Sequence, residues 1–319
     1  MQYSEFTDLG HGITCIDTLQ YRAGLAACYL IENNGRAALI DTGHSFCVPR
    51  ILDHLEQRGI ALDAVDYIMP THVHLDHAGG AGNLMAALPN AKLVMHPRGA
   101  RHMVDPSKLI AGATAVYGEE GFKNHYGEIL PVAAERVISI EDGQVFHVGE
   151  RPLELIDSPG HARHHYCVWD ATSQGWFTGD TFGISYRSTD ASACGLSQPH
   201  YLIPTSTPVQ FEPVVWAQTL DRLMSYQPKR MYLTHFGMVE DVERLAGDLR
   251  RKLQEYVLLT KRCGEQDNRH QTLKNAITQL HIDDLKRMNA QLDDEDIKNI
   301  FSVDLELNTQ GLLFWLDHS

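Results

Sequence analysis

Through the first two-thirds of the chain, apolar and polar positions change over in short blocks. Residues 13–19, 28–32 and 37–40 are brief apolar runs parted by polar or glycine turns, which predicts strands. Asn33-Asn34-Gly35 between the last two carries the Asn-Gly signature of a tight hairpin. Residues 48–59 change to helical spacing, with Val48, Ile51, Leu52 and Leu55 on one face. The run 65–70 reads as a buried strand, followed by a polar loop, a helix near 80–88 and a strand over 92–96. Further strands are expected at 137–140, 153–157, 166–170, 175–181 and 230–234, with an amphipathic helix over 213–226.

The pattern changes between 97 and 131. There Met103, Leu109, Ile110, Val116, Tyr117, Phe122 and Tyr126 are scattered through short helical pieces broken by Gly and Pro. An aromatic-bearing insert of this length is read as a cap that supplies substrate contacts. Beyond Glu240 the spacing is helical near 241–262 and 270–279, with shorter pieces to about 300. The chain is then expected to close in a β-hairpin, 303–307 and 312–316, around Asn308-Thr309-Gln310-Gly311. The organisation predicted is a catalytic domain over 1–240 and a mostly helical extension over 241–319, the extension serving packing or dimer contact.

Composition changes this picture in three ways. A formal net charge of -14 over 319 residues disfavours nucleic acid as a partner. No apolar run reaches the ~18 residues of a membrane span, and Met1–Asp8 lacks the basic and apolar regions of a secretory signal. Six cysteines, at 15, 28, 47, 167, 194 and 263, form no CxxC pair and read as reduced core residues. The expectation is a cytoplasmic protein acting on a small-molecule substrate, with no nucleic-acid or membrane partner and homodimerisation left open.

The chemistry concentrates in Thr71-His72-Val73-His74-Leu75-Asp76-His77-Ala78-Gly79-Gly80. Three imidazoles and a carboxylate within six positions, beside a buried strand, are costly to desolvate without a metal. Imidazole nitrogen and carboxylate oxygen suit zinc, and also iron or manganese. Other strand ends carry His161 after Pro159-Gly160, Asp180 in Thr178-Gly179-Asp180-Thr181, and His235 after Thr234. Seven ligands exceed one tetrahedral ion. They divide into His72, His74 and His161 for one metal and Asp76, His77 and His235 for another, with Asp180 bridging, the two sites about 3.5–4 Å apart. Asp41 is read either as a plain turn former or as a group orienting the histidine loop.

In the order and spacing of HxHxDH, PGH, TGDT and TH, residues 10–240 resemble the metallo-β-lactamase superfamily. The resemblance implies an α/β fold, an αββα sandwich of two mixed sheets with helices outside and metals at one edge. It also implies two divalent ions, zinc before iron or manganese, sharing a hydroxide that attacks an acyl carbonyl. The two-zinc β-lactamases commonly have Cys where Asp180 stands, flavodiiron proteins have Glu at the position of His74, and nuclease members usually carry RNA-binding modules. What remains is similar to the glyoxalase II-like and lactonase-like branch, which cleaves thioesters and lactones. Two alternatives stay open: a mononuclear-iron persulfide dioxygenase-like oxidoreductase, and a non-catalytic metal-containing binding protein. Asp76 is expected to orient water as well as bind metal. Tyr186 is expected to donate to a leaving oxygen or to be a packed aromatic, while His164 and His165 are read as supporting groups or plain core histidines. Arg250, Arg251, Lys252, Lys261 and Arg262 fall where glyoxalase II holds glutathione, but they align with nothing residue for residue, so glutathione is not assigned.

Overall fold

The computed structural model describes residues 5–206 and 209–319; the side chains of Val116 and Tyr117, counted in the insert's apolar set, lie outside the described residues, as do Met1–Ser4. Strands β1 (Phe6–Asp8), β2 (Ile13–Asp17), β3 (Ala27–Asn33), β4 (Arg36–Ile40), β5 (Val65–Met69), β6 (Lys92–Met95) and β7 (Val137–Ser139) lie side by side in sequence order. The first four pair antiparallel and the rest parallel. Strands β8 (Gln144–Val148), β9 (Arg151–Asp157), β10 (Tyr166–Asp170), β11 (Gly175–Gly179), β12 (Arg230–Leu233) and β13 (Gly237–Val239) form the second sheet, antiparallel except between β11 and β12.

Around them are α1 (Val48–Gln57), α2 (Leu75–Ala78), α3 (Ala81–Ala87), α4 (Pro97–Val104), α5 (Ser107–Tyr126), α6 (Ala191–Cys194), α7 (Pro213–Ser225), α8 (Val242–Cys263), α9 (Arg269–Arg287), α10 (Asp294–Ile300) and α11 (Ser302–His318). The period-two alternation of side chains sorts the strand residues into layers. In β4, Ala38 and Ile40 enter a core with Tyr29, Phe177 and Tyr232, between the sheets. Their neighbours Ala37 and Leu39 pack instead with Ile51, Leu55 and Leu84 of α1 and α3. In the second sheet Phe177 and Tyr232 face inward, while Trp176, Met231 and Leu233 join Leu220, Leu249 and Leu312 of the outer helices. Helices, sheet, sheet, helices: the αββα sandwich follows from strands that are apolar on both faces. The fold is α/β, with two sheets and a mostly helical C-terminal extension, whose apolar face is continuous with the outer face of the second sheet.

Local chemistry accounts for the turns. Asn34 (φ 49°) and Gly35 (φ 74°) both sit left-handed, the pair of positive φ values that a two-residue type I′ hairpin needs. The insert is α4 and α5, with α5 broken at Gly118, whose φ of 74° is not helical. All six cysteines are free and buried. Burial pushes the thiols of Cys15, Cys47 and Cys167 up to about 12. Among the described residues no helix is long and apolar enough to cross a membrane.

The expected terminal β-hairpin is wrong: 303–307 and 312–316 both belong to the single helix α11. Its buried face is Leu305, Asn308, Thr309 and Leu312, an i, i+3, i+4, i+7 set in which two polar residues hide the helical period. Both polar groups are satisfied. Thr309 Oγ1 donates to Leu305 O at 2.7 Å, and Asn308 accepts from Ser206 N at 2.6 Å and donates to Pro204 O at 2.9 Å. Asn-Thr-Gln-Gly is therefore helix interior, not a turn.

Candidate metal centre

Every segment flagged for chemistry leaves the sheets at the same edge. Strand β4 ends in Asp41, β5 leads through Pro70 and Thr71 into the histidine motif, β9 runs into Ser158–His161, β11 ends before Asp180, and β12 ends before Thr234 and His235. Bonds between the two sheets close this edge: Ala27 N donates to Thr234 O at 2.8 Å and Tyr166 N to Thr71 O at 3.0 Å.

The motif splits because a helix begins inside it. His74 is extended (φ −61°, ψ 144°) and caps α2, so His72 and His74 precede the helix while Asp76 and His77 occupy it. The carboxylate in the first turn is favoured by the helix dipole. Two glycines set the remaining ligands. Gly160 has φ 133°, and a Cβ there would lie 2.4 Å from Trp216; Gly179 has φ 48°, and a Cβ would lie 2.5 Å from both His165 Nε2 and Thr71 Oγ1. Only glycine lets the chain pass so close before His161 and Asp180.

The seven predicted residues converge as two groups of facing atoms: His72, His74, His161 and Asp180, and Asp76, His77 and His235. His72 Nε2 lies 2.7 Å from His74 Nδ1, and His161 Nε2 lies 3.5 Å from His74 Nδ1. Asp180 reaches both groups, Oδ2 at 3.2 Å from His161 Nε2 and Oδ1 at 3.4 Å from His77 Nε2 and 3.6 Å from His235 Nε2. Asp76 Oδ2 is 3.2 Å from His235 Nε2 and 3.5 Å from His77 Nε2.

The far side of each ring is held. His77 Nδ1 donates to Asp41 Oδ2 at 2.8 Å, and His235 Nδ1 faces Leu25 O at 2.8 Å. His161 Nδ1 faces Thr205 O at 2.9 Å, and His72 Nδ1 faces Thr71 Oγ1 at 3.2 Å. Asp41 is thus the group that orients the histidine loop: fully buried, it also accepts from Thr71 N at 2.7 Å and Thr234 Oγ1 at 2.6 Å. His165 Nε2 accepts from the backbone N–H of Asp180 at 3.3 Å. His164 packs against the ring of His72, centroids 6.0 Å apart.

Electrostatics sort the rings. Burial, reinforced by neighbouring imidazoles, holds His72 and His74 well below the ordinary imidazole value, and burial lowers His161. Their lone pairs stay available to a cation. Burial opposes protonation of His77 and His235 too, but the surrounding carboxylates outweigh it, and His235 is pushed up to about 9. Burial likewise opposes ionisation of Asp180, yet His77, His161 and His235 hold it well below the carboxylate range. His77 Nε2 and Asp180 Oδ1 are both buried without a hydrogen-bond partner. These two orphaned atoms, 3.4 Å apart among buried imidazoles and carboxylates, fit a divalent ion taken with nitrogen and oxygen ligands.

The centre opens into a cavity of about 460 Å³, within the usual size of a small-molecule site. His74, Asp76, His161, Asp180 and His235 form its floor; Tyr126 of the insert, Leu25, Ile184 and Tyr186, and Ile300, Val303, Asp304 and Leu307 of α10 and α11 line its walls. The side chain of Tyr186 is in that wall, but its hydroxyl donates to Asp304 Oδ1 at 3.0 Å. Of the flagged basic residues, Arg251 and Lys252 face Asp284, and Arg250 pairs with Asp221; none of them lines the cavity. Sequence reading missed Asp304 and the α11 wall, which the hairpin expectation concealed, and the carbonyls of Leu25 and Thr205, which have no side-chain signal.

Residues 21–235 match the metallo-beta-lactamase superfamily. A metallo-beta-lactamase fold-containing protein, ST1585 of Sulfurisphaera tokodaii, is 29% identical over 182 residues, 56% of this chain and 63% of that protein. The crystal structure of ST1585 from Sulfolobus tokodaii superposes with a TM-score of 0.64 at 22% identity, covering 95% of this chain and 98% of that one, a likeness of fold. An atrochrysone carboxyl ACP thioesterase of Emericella nidulans is 26% identical over 239 residues, 73% of this chain and 59% of its own length. Acyl-coenzyme A thioesterase MBLAC2 of Homo sapiens is 25% identical over 193 residues, 56% and 67% respectively. The sequence matches span under two-thirds of the length of ST1585 and of the fungal thioesterase.

Proposed function

The chain belongs to the metallo-β-lactamase superfamily, and from that premise we propose that it is a dinuclear metal-dependent hydrolase that cleaves an acyl thioester or lactone of a small molecule. The observation that carries this reading is the pair of His/Asp clusters at the floor of a largely apolar cavity, with Asp180 in one and 3.4 Å from His77 of the other. Thioesterases among the relatives support an acyl substrate. Zinc is the proposed metal, with iron and manganese the alternatives.

His72, His74 and His161 would hold one ion, Asp76, His77 and His235 the other, and Asp180 both. The bound pair supplies Lewis acidity towards an acyl carbonyl and a hydroxide nucleophile near neutral pH. The chain's own part is positional. Asp41 fixes His77 through its Nδ1–H, so the ring turns Nε2 towards the centre. Asp76, half-buried and facing His235, accepts a proton-bearing group at the centre and orients it. Tyr126, Leu25, Ile184 and Leu307 hold the acyl portion and exclude water from it. A thiolate leaves without a proton donor, so no separate acid is required for a thioester.

The test is a panel of acyl-coenzyme A, N-acetylcysteamine thioesters and lactones, assayed with metal-loaded protein. Hydrolysis that a chelator abolishes and zinc restores is the expected result. No hydrolysis of any member, or sulfite release from a persulfide by the iron-loaded protein, contradicts it.

A further inference from the structure

Asp304 is the one carboxylate lining the cavity that is not among the ligands, counted over the described residues. It lies in the first turn of α11, where the helix dipole favours its ionised form. Two of the polar groups beside it, Ser206 and Asn308, are engaged with each other, Ser206 N and Oγ donating to Asn308 Oδ1 at 2.6 and 2.9 Å. The rest of the wall is mixed: Ile300, Val303 and Leu307 are apolar, while Asn299, Ser302 and Arg22 also line it, with Ser302 Oγ donating to Asn299 O at 3.2 Å. Tyr186 commits its proton to Asp304, so both groups meet the cavity through oxygen lone pairs. Arg22 stacks on the ring of Tyr186, 4.6 Å from its centroid, instead of closing an ion pair with the carboxylate. A half-buried acceptor pair carries a desolvation cost that a ligand donor relieves.

We propose that the Tyr186–Asp304 pair is a specificity subsite for a neutral hydrogen-bond donor, a hydroxyl or an amide N–H, carried on the acyl portion of the substrate. This deepens the hydrolase reading and rests on it for the acyl portion. Burial raises the carboxyl of Asp304 to about 6, against His235, Tyr186 and Arg22, which lower it; the group stays mostly ionised, hence an acceptor, above that pH. The subsite sits on α11, so the C-terminal extension selects the substrate.

The probes are thioether analogues of N-acetylcysteamine thioesters, which cannot be hydrolysed. They carry a plain octyl chain, a hydroxyl at positions 3 to 6, or an amide N–H at the same positions. Binding to zinc-loaded protein is measured by calorimetry. At least one donor position should bind about 10- to 100-fold more tightly than the plain chain, the range of a charge-assisted hydrogen bond. In Asp304→Ala the gain of the donor-bearing probe over the plain chain should fall below about threefold, with metal content unchanged. Asp304→Asn, which keeps shape and one acceptor, should retain an intermediate gain and serves if the alanine variant fails to fold. No gain at any position, or a gain that survives in Asp304→Ala, overturns the proposal. A gain present in protein that hydrolyses neither thioesters nor lactones upholds the subsite and sinks the hydrolase instead.

Discussion

Replacing Asp41 by Asn should detach the second metal and leave the first. Asp41 accepts four hydrogen bonds, from Thr71 N at 2.7 Å, Thr71 Oγ1 at 3.0 Å, His77 Nδ1 at 2.8 Å and Thr234 Oγ1 at 2.6 Å. An amide has one acceptor oxygen. If that oxygen stays with Thr71, the NH₂ group confronts His77 Nδ1–H, donor against donor. The imidazole escapes by changing tautomer, which places its proton on Nε2, the atom facing Asp76 and Asp180. One charge-assisted bond is lost, about 1.5–3 kcal/mol, and a buried hydroxyl loses its acceptor, about 1–3 kcal/mol. Part is recovered by relaxation, so we expect Asp41→Asn to be destabilised by about 2–4 kcal/mol and to fold. Losing such an orienting partner typically weakens metal binding by about 10- to 100-fold. The loss should fall on the Asp76/His77/His235 side, because the rings of His72 and His161 lean on Thr71 Oγ1 and Thr205 O instead. Stepwise chelator competition, with metal counted by mass spectrometry at each step, separates the two ions. Release of both metals from Asp41→Asn at the wild-type chelator concentrations would refute the reasoning.

Asp180→Ala should bring metal content towards one ion per chain and remove most activity, since both groups of ligands share that carboxylate; two tightly held ions by elemental analysis would contradict it. Tyr186→Phe should lower turnover far less than His72→Ala, because its hydroxyl proton is directed to Asp304 and not to the ligands; equal losses in kcat would make Tyr186 part of the chemistry. Asp304→Asn should show a pH-dependent gain in stability. A carboxyl raised from 3.8 to about 6 binds a proton more readily when folded, so its burden on stability is absent below pH ~4, grows between ~4 and 6 and is full above. The variant's Tm advantage over wild type should therefore be largest at neutral pH and fade in acid; an advantage that grows on acidification reverses the sign.

The candidate cluster was legible because its residues are local or lie beside strong punctuation. His72 to His77 fall within one loop, and His161, Asp180 and His235 each follow a short apolar strand. The strands Ala37–Ile40 and Met231–Leu233 were legible as apolar runs, while their layering, covered on both faces, came only from the family resemblance. What stayed hidden needed tertiary information. Helix α11 buries Asn308 and Thr309 because Ser206, Pro204 and Leu305 satisfy them, a fact no local pattern contains. Strand β8 was missed because only Phe146 and Val148 of its five residues are buried. Tyr186 was in view, but the partner that takes its proton lies 118 residues away on a helix read as a hairpin. Asp41 could be weighed from its place at a strand end, while its four donors come from two distant segments, Thr71–His77 and Thr234, that only the fold brings together.

Seven side chains from distant segments are proposed to hold two cations. Crystals of zinc-loaded protein, with anomalous scattering recorded on both sides of the zinc edge, test that proposal directly. Two peaks are expected, one ligated by His72, His74 and His161 and one by Asp76, His77 and His235, with Asp180 reaching both. No anomalous density at this edge of the sheets, or a metal bound without His161 and His235, would contradict it.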